Sequence, residues 1–209
     1  ERIGFIGLGV MGRPMAQNLL ARGFGVVVHS RSRGPVDELV AAGAQAAKTP
    51  ADVARQSAIV VTMVPDSPDV EAVLEGTDGV FAALAPGSLI IDCSTIAPAV
   101  ARRLAACAAE LRSGMIDAPV SGGEVGAKSA SLSIMIGGDA SAVERARPVL
   151  EAMGNKERIV HIGPSGSGQL CKVCNQMVIG GTLAAVSEAF ALARKAGVDP
   201  ARVRTVLLG

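Results

Sequence analysis

Aromatic residues are nearly absent from this chain, which has no tryptophan, no tyrosine and only four phenylalanines among its 209 residues. Few side chains can therefore stack on nucleobases, and a formal net charge of +1 provides no basic field, so we do not expect a nucleic-acid partner. No apolar run reaches the roughly 20 residues of a membrane span, because runs such as 177–183 contain glycine. With no leader before the first apolar run, we expect a soluble, cytoplasmic protein without a membrane partner.

Cysteine and histidine are also scarce, and their spacing does not favour metal chemistry. Cys171 and Cys174 are spaced like half of a zinc site, but no second cysteine or histidine pair is spaced to complete it. We therefore expect no metal, and we expect reduced cysteines that pack as small apolar residues. His29 and His161 lie in apolar, β-branched runs, and we predict a structural role for both.

Short apolar runs rich in β-branched residues recur along the sequence, separated by alanine-rich stretches with helical spacing. This alternation predicts an α/β fold of the Rossmann type, with a doubly wound, mostly parallel sheet. At 49% hydrophobic residues the chain can bury a sizeable core. The predicted strands are 3–6, 26–28, 59–63, 89–91, 114–117, 131–136 and 158–162, and a helix is predicted over 140–153.

The character of the sequence changes after Gly168. From Gln169 to Ala196 no proline interrupts an apolar stretch about seven helical turns long, and Asp199 followed by Pro200 is typical of a new helix start. We predict a dinucleotide-binding domain over 1–166, and over 167–209 a long interdomain helix that begins an all-α domain. Because little sequence follows the second helix, we expect the remainder of that domain to be absent from this chain.

A glycine pattern between the first predicted strand and a predicted helix over 11–22 indicates a dinucleotide site. Gly7 would permit the tight turn, Gly9 would let a pyrophosphate approach the backbone, and Gly12 would let helix and strand pack closely. The amides at the helix start would then face the phosphates. The residues predicted to bind the cofactor here are Gly7, Leu8, Gly9, Val10, Met11 and Gly12.

The end of the second predicted strand indicates which dinucleotide is bound. An NAD enzyme holds an aspartate or glutamate there for the ribose hydroxyls, whereas this chain has Ser30, Arg31, Ser32 and Arg33. Arg31 can pair with a 2′-phosphate, and the two serines can donate hydrogen bonds to it. We therefore predict NADP (NADPH) as the cofactor, with NAD less favoured.

Three longer motifs resemble those of the β-hydroxyacid dehydrogenases, the family of 3-hydroxyisobutyrate dehydrogenase, tartronate semialdehyde reductase and 6-phosphogluconate dehydrogenase. Residues 4–12 with 15–19 resemble the family's cofactor motif, 117–123 with 126–127 its substrate motif, and 166–175 its catalytic motif. The resemblance covers nearly the whole chain. It implies an NADP-dependent oxidoreductase that moves a hydride between the nicotinamide and a small 3-hydroxy acid or semialdehyde, and a homo-oligomer when full length.

The same resemblance implies the roles of individual residues. Lys172 would be the catalytic residue, giving a proton to the carbonyl oxygen during reduction and taking it back during oxidation, with its pKa lowered by burial. Gln176 departs from members of the family that carry a second asparagine at that position. The implied substrate-binding residues are Ser121, Gly122, Gly123, Asn175 and Gln176, and the residues implied to approach the nicotinamide are Val64, Pro65 and Thr95.

Two other functions remain open at this point. One is an imine reductase, and the other is a non-catalytic NADP-binding module that serves in an assembly. Imine reductases usually carry another residue where Lys172 stands, and non-catalytic relatives have lost the lysine, so Lys172 argues against both. A hydride-transfer assay would separate the enzyme from the binding module.

Overall fold

Strands and helices alternate along most of the chain, and a long helix follows them. The structure is a computed structural model and describes residues 2–208. The strands are β1 (Arg2–Ile6), β2 (Gly25–His29), β3 (Gln45–Ala46), β4 (Ile59–Thr62), β5 (Leu89–Asp92), β6 (Gly114–Asp117), β7 (Val120–Ser121), β8 (Leu132–Gly137) and β9 (Gly154–Gly163). The helices are α1 (Gly12–Ala21), α2 (Arg33–Ala41), α3 (Pro50–Arg55), α4 (Ser67–Glu75), α5 (Pro98–Glu110), α6 (Gly123–Lys128), α7 (Ala140–Met153), α8 (Ser167–Lys195) and α9 (Pro200–Leu207).

The strands belong to one sheet in the order β3-β2-β1-β4-β5-β6-β8-β7, with β9 beside β8. Neighbours from β3 through β6 are parallel, whereas β8 runs antiparallel to both β6 and β7. The chain order reverses between β1 and β4, and open α/β sheets bind ligands beyond the carboxyl ends of their strands at such a reversal. The predicted Rossmann-type, mostly parallel sheet is confirmed.

The central strands are buried on both faces, which explains their continuous apolar composition. Alternate residues of one strand enter two different cores: Ile59 and Val61 face a core shared with α1, α2 and α7. Val60 faces a second core shared with α3, α4 and α5. Helices on both faces leave the carboxyl edge of the sheet free to carry polar loops.

Two short strands and one helix are not predicted by the sequence patterns. The two residues of β3 and of β7 are too few to show a strand period. Helix α6 contains Gly123 and Gly126, which disfavour a helix. Tertiary packing compensates, because Gly126 and Ala127 are buried and Asn18 Nδ2 of α1 donates to the Ala127 carbonyl at 2.7 Å.

The chain divides into two compact units, one ending at Lys172 and the other beginning at Val173. Helix α8 starts in the first unit and continues into the second. The second unit otherwise contains α9. Asp199 caps the start of this helix, because its Oδ1 accepts from the Ala201 amide at 2.9 Å. The domain boundary between residues 166 and 167 remains a prediction.

Helix α8 is long and apolar enough, by length and composition alone, to cross a membrane. This differs from the expectation that every apolar run is too short, because the helix continues through glycines and few charges interrupt it. The core helix of a soluble protein meets the same criterion, so length and composition do not assign α8 to a membrane.

Candidate active site

A cavity of about 800 Å³ opens at the carboxyl edge of the sheet, beyond β1, β2 and β4. It lies at the reversal of strand order, where the fold places ligands. Every residue predicted to bind the cofactor lines this one cavity: Gly7, Leu8, Gly9, Val10, Met11, Gly12, Ser30, Arg31, Ser32, Val64, Pro65 and Thr95.

The glycine loop after β1 has the geometry of a phosphate cradle. Gly7 has φ +96°, and a Cβ there would meet the Met63 carbonyl, while a Cβ at Gly12 would meet the Gly7 carbonyl. At Gly9 a Cβ would meet no atom within 4 Å, so the space in front of this residue is open. Within residues 2–208 no acceptor pairs with the amides of Gly9, Val10 or Met11. Free amides, open space and the start of α1 fit a pyrophosphate.

Beside the end of β2 the cavity wall carries one cation, Arg31, and one anion, Asp69. Ser30 Oγ accepts from the Leu8 amide at 3.4 Å, which fixes the serine beside the glycine loop. The Arg31 side chain is 81% exposed, and its Nη1 lies 3.2 Å from Asp69 Oδ1 on the first turn of α4. Asp69 also lines the cavity. An exposed ion pair of this kind contributes little stability, so Arg31 can exchange Asp69 for an anionic ligand.

The two histidines bond to backbone carbonyls. His29 Nδ1 lies 3.2 Å from the Ala47 carbonyl oxygen, and His161 Nε2 lies 2.9 Å from that of Gly138. His29 lines the cofactor cavity, and its ring nitrogen is directed at a backbone carbonyl of the strand edge, whereas His161 is not among the residues that line the cavity. Their predicted structural role is consistent with these bonds.

A buried carboxylate, that of Asp92, organises the loops after β4 and β5 behind the cavity wall. Asp92 Oδ1 accepts from Thr62 Oγ1 at 2.8 Å and from the Ser94 amide at 3.1 Å. Ser94 Oγ in turn accepts from the Val64 amide at 3.0 Å. Burial raises the pKa of Asp92 to about 6, and its Oδ2 has no hydrogen-bond partner in the described part of the chain.

Thr95 follows this network and is exposed on the cavity wall. It does not cap the next helix, since Ala97 is the N-cap of α5 and provides no side-chain bond. The side chain of Thr95 is therefore not used to start α5. Its predicted approach to the nicotinamide remains a prediction.

Lys172 lies in the second turn of α8 and is only 9% exposed. Burial lowers the pKa of its ammonium group below the ordinary 10.5, and within residues 2–208 no carboxylate pairs with it to oppose that effect. A lysine that gives up its proton more readily than usual, at a site without a fixed counter-ion, suits acid and base chemistry.

The start of α8 is held by a second buried carboxylate. Asp117 at the end of β6 accepts from the Gly166 amide at 2.7 Å and from the Gln169 amide at 2.8 Å. Burial raises the pKa of Asp117, and these backbone bonds partly oppose the rise. The carboxylate thus satisfies amides that the first turn of a helix leaves unpaired.

The predicted substrate residues are placed in different parts of the chain. Ser121 is half-buried at the end of β7, and Gly122 and Gly123 have φ of +135° and +60° in the turn that starts α6. Asn175 and Gln176 belong to the second unit, where Gln176 is exposed and Asn175 Oδ1 is buried without a partner in the described residues. Substrate binding by these five residues remains a prediction.

Comparisons with known proteins agree with this geometry. A family model described as the NAD binding domain of 6-phosphogluconate dehydrogenase matches residues 2–163. One described as NAD-binding of NADP-dependent 3-hydroxyisobutyrate dehydrogenase matches residues 166–209. The chain is 46% identical over 209 residues to the 2-hydroxy-3-oxopropionate reductase of Escherichia coli (strain K12), covering 100% of this chain and 70% of that protein. The chain belongs to the β-hydroxyacid dehydrogenase family.

Other members of the β-hydroxyacid dehydrogenase family match over nearly the whole chain. The NAD-dependent L-serine dehydrogenase of Pseudomonas aeruginosa is 46% identical over 199 residues, which are 95% of this chain and 66% of that protein. The solved structure of the Mycobacterium tuberculosis 3-hydroxyisobutyrate dehydrogenase with L-serine is 38% identical with a TM-score of 0.90, covering 99% of this chain and 69% of that one. This chain therefore spans about two thirds of these relatives' lengths.

The family assignment confirms the predicted class of protein, an oxidoreductase that acts on CH–OH groups with a nicotinamide cofactor. The descriptions of the matching proteins include both NAD and NADP, so the comparisons support NAD(P) without separating the two. The names of these relatives refer to small hydroxy acids, which is consistent with the predicted small-molecule substrate.

Several residues of the site are not found by sequence reasoning. Asp69 pairs with Arg31 from a different element, and only its position at a helix start beyond β4 could have drawn attention to it. Asp92 and Gln169 are buried polar residues in apolar surroundings. A polar residue inside an otherwise apolar run is the available signal for both, but it does not indicate which atoms they meet.

Proposed function

We propose that this chain binds NADP(H) and catalyses reversible hydride transfer between its nicotinamide and a small 3-hydroxy acid or the matching semialdehyde. The observation that carries the proposal is the burial of Lys172 with a lowered pKa, three residues after a turn held by buried side chains. The bound nicotinamide would supply or accept the hydride.

The chain's own residues would control the proton. In the reducing direction the Lys172 ammonium donates a proton to the substrate oxygen as negative charge develops there. In the oxidising direction neutral Lys172 accepts the hydroxyl proton. The lowered pKa favours both steps, because it brings the two forms of the amine closer in free energy near neutral pH.

The substrate carboxylate would bind at Ser121, Gly122 and Gly123, where positive φ angles expose the backbone of a turn. Asn175 and Gln176 would orient the substrate. Two of the named relatives take their names from three-carbon acids that carry a hydroxyl or carbonyl oxygen at the third carbon, L-serine and 2-hydroxy-3-oxopropionate. We therefore propose that carboxylates with an oxygen at the third carbon are the substrate class.

The preference for NADP over NAD rests on the cavity wall after β2. No acid follows β2 to accept the ribose hydroxyls, and Arg31 with Ser30 and Ser32 lines the cavity instead. A cytoplasmic location, a homo-oligomeric state and the absence of membrane and nucleic-acid partners remain predictions from composition and family resemblance.

The test is a hydride-transfer assay of the full chain on a panel of hydroxy acids and semialdehydes, each with NADP(H) and NAD(H), followed by the absorbance of the reduced nicotinamide. Lys172→Ala should lower kcat at least about a hundredfold while NADPH affinity hardly changes, because the ammonium acts mainly on the charge of the transition state. Lys172→Arg should recover little, since a guanidinium does not readily give up its proton.

Lys195→Ala is the matched control, because Lys195 is an exposed lysine near the end of the same helix and is not one of the predicted site residues. It should keep the original kcat. Near-normal kcat with a raised KM in Lys172→Ala would make Lys172 a binding residue. Tight NADPH binding without turnover of any acid would favour the non-catalytic module, and turnover of cyclic imines alone would favour an imine reductase.

A further inference from the structure

Gln169, in the first turn of α8, is 1% exposed and uses both ends of its side-chain amide. Its Oε1 accepts from the Ile96 amide at 3.1 Å, and its Nε2 donates to the Ser94 carbonyl at 2.8 Å. The two partners flank Thr95, which lines the cofactor cavity. One side chain therefore fixes the backbone on both sides of Thr95.

The backbone of Gln169 is fixed as well. Its amide donates to Asp117 Oδ2 at 2.8 Å, and Asp117 Oδ1 accepts from the Gly166 amide at 2.7 Å. Lys172 follows Gln169 by three residues, about 4.5 Å along the helix axis. Gln169 thus connects three parts of the sheet edge: the loop after β5, the end of β6 and the first turn of α8, which directly precedes Lys172.

The chemistry of the amide explains why this position needs glutamine. An apolar side chain would fill the space but leave the Ser94 carbonyl and the Ile96 amide unpaired in a buried site. A carboxylate could accept from Ile96, but its second oxygen would face the Ser94 carbonyl oxygen. Only a side chain with one acceptor and one donor pairs with both groups.

We propose that Gln169 is a positioning residue that holds Thr95 and Lys172 in fixed register, so that hydride transfer and proton transfer reach the same substrate. This proposal rests on the proposed role of Lys172. Gln169 is not among the residues that line the cofactor cavity, and it acts through the loop and the helix turn that it joins. Small misplacements of reacting groups lower the reaction rate strongly, so a side chain that keeps two of them in place should raise kcat.

Gln169→Glu tests the link through pH, because glutamate keeps the shape of glutamine and can donate to Ser94 only when protonated. The groups around it are the carboxyls of Asp92 on β5 and Asp117 on β6, Lys172 on α8, and Arg102 of α5, whose Nη1 lies close to Gly166. Burial would raise the pKa of the new carboxyl from its ordinary value of about 4.3. Dividing the kcat of the variant by that of the original protein at each pH removes titrations common to both.

We expect kcat of Gln169→Glu to be at least about tenfold below the original at about pH 8, and the ratio to approach one as the pH falls toward about 6. NADPH affinity, measured by fluorescence titration without substrate, should stay within about threefold because the phosphate cradle is untouched. Gln56→Glu is the matched control at an exposed glutamine outside the site, and its kcat ratio should be one throughout. A ratio for Gln169→Glu that does not change with pH would overturn the proposal.

Gln169→Met gives a second variant with similar volume and no polar ends, should the glutamate not fold. It should lower kcat at every pH with little change in substrate KM, and hydrogen exchange of the Ile96 amide should accelerate because its acceptor is gone. Original kcat in this variant would overturn the proposal. If Lys172→Ala kept its kcat, the proposed function would fail, whereas a loss in Lys172→Ala without a loss in either Gln169 variant would reject only the positioning role.

Discussion

The glycine loop after β1 and the first turns of α8 prepare for their ligands in opposite ways. The loop offers unpaired amides and open space in front of Gly9, and its neighbouring cation Arg31 is largely exposed. At the start of α8 the polar atoms of Gln169 and Asp117 are buried and bonded to backbone groups. The glycine loop is open to a charged ligand, whereas the start of α8 holds its own polar groups at fixed distances.

The comparison also shows what kind of change each region tolerates. In the loop, a substitution can block the ligand without disturbing the protein, because only the ligand would occupy the open space. Beside α8, a substitution removes bonds between distant parts of the chain, and under the proposal above it changes the geometry of Lys172. Binding and rate are therefore separable by mutation, and the following predictions use that difference.

The largest expected effect is at Gly9. Gly9→Val should abolish measurable NADPH and NADH binding in a fluorescence titration, because the new side chain occupies the space of the pyrophosphate. The thermal unfolding midpoint should hardly change, since a Cβ at Gly9 meets no protein atom within 4 Å.

Two other glycines provide the contrast for Gly9. Gly12→Val should lower the unfolding midpoint as well as affinity, because its Cβ meets the Gly7 carbonyl. Gly25→Val should preserve affinity, since this glycine begins β2 at the opposite end of the strand and a Cβ there only touches Arg2 Cγ at 3.8 Å. Normal cofactor affinity in Gly9→Val would show that the loop is only a turn.

The same contrast explains how much of the site the sequence predicts. Gly7, Gly9 and Gly12 act within six consecutive residues, so a local pattern reveals the cradle, and periodic apolar runs reveal most strands. The Gln169 bonds join residues 73 and 75 positions apart, and the Asp117 bond to Gly166 spans 49. Local patterns contain no information on which distant backbone groups will meet, so this network appears only once the sheet order is known.

A smaller effect is expected at Arg31. Arg31→Ala should weaken NADPH binding by about 1.5 to 3 kcal/mol, a loss of roughly ten- to 150-fold, the range of a charge-assisted hydrogen bond. Because Arg31 is largely exposed and already paired with Asp69, we expect the lower end of that range. Titration with NADH is the internal control and should give nearly the same affinity as before, since NADH lacks the 2′-phosphate. Equal losses for both cofactors would reject Arg31 as the phosphate ligand.

The smallest effect concerns the buried carboxyl of Asp92, and it appears in the pH dependence of stability. Its pKa in the folded protein is raised from 3.8 to about 6, so the folded state keeps a proton that the unfolded state has released between these values. The free energy of unfolding should therefore fall as the pH rises toward and through 6. The pKa of Asp117 is also raised in the folded protein, so ionisation of Asp117 adds to this fall in the free energy of unfolding.

Asp92→Asn should remove the Asp92 share of that loss, because asparagine resembles the protonated carboxyl in shape and cannot ionise. In urea titrations the advantage of the variant over the original protein should be larger near about pH 8 than near about pH 5 by about 1 to 1.5 kcal/mol, because the step from pH 5 to the folded-state pKa of about 6 is one pKa unit, or about 1.4 kcal/mol. Asp139→Asn is the control: Asp139 is exposed, and its pKa is lowered by bonds from Ser141, so its contribution is constant over this range. The two variants could instead differ from the original protein by the same free energy of unfolding at both pH values. In that case ionisation of Asp92 would not destabilise the protein, and the buried network would be no more sensitive to charge than the open loop.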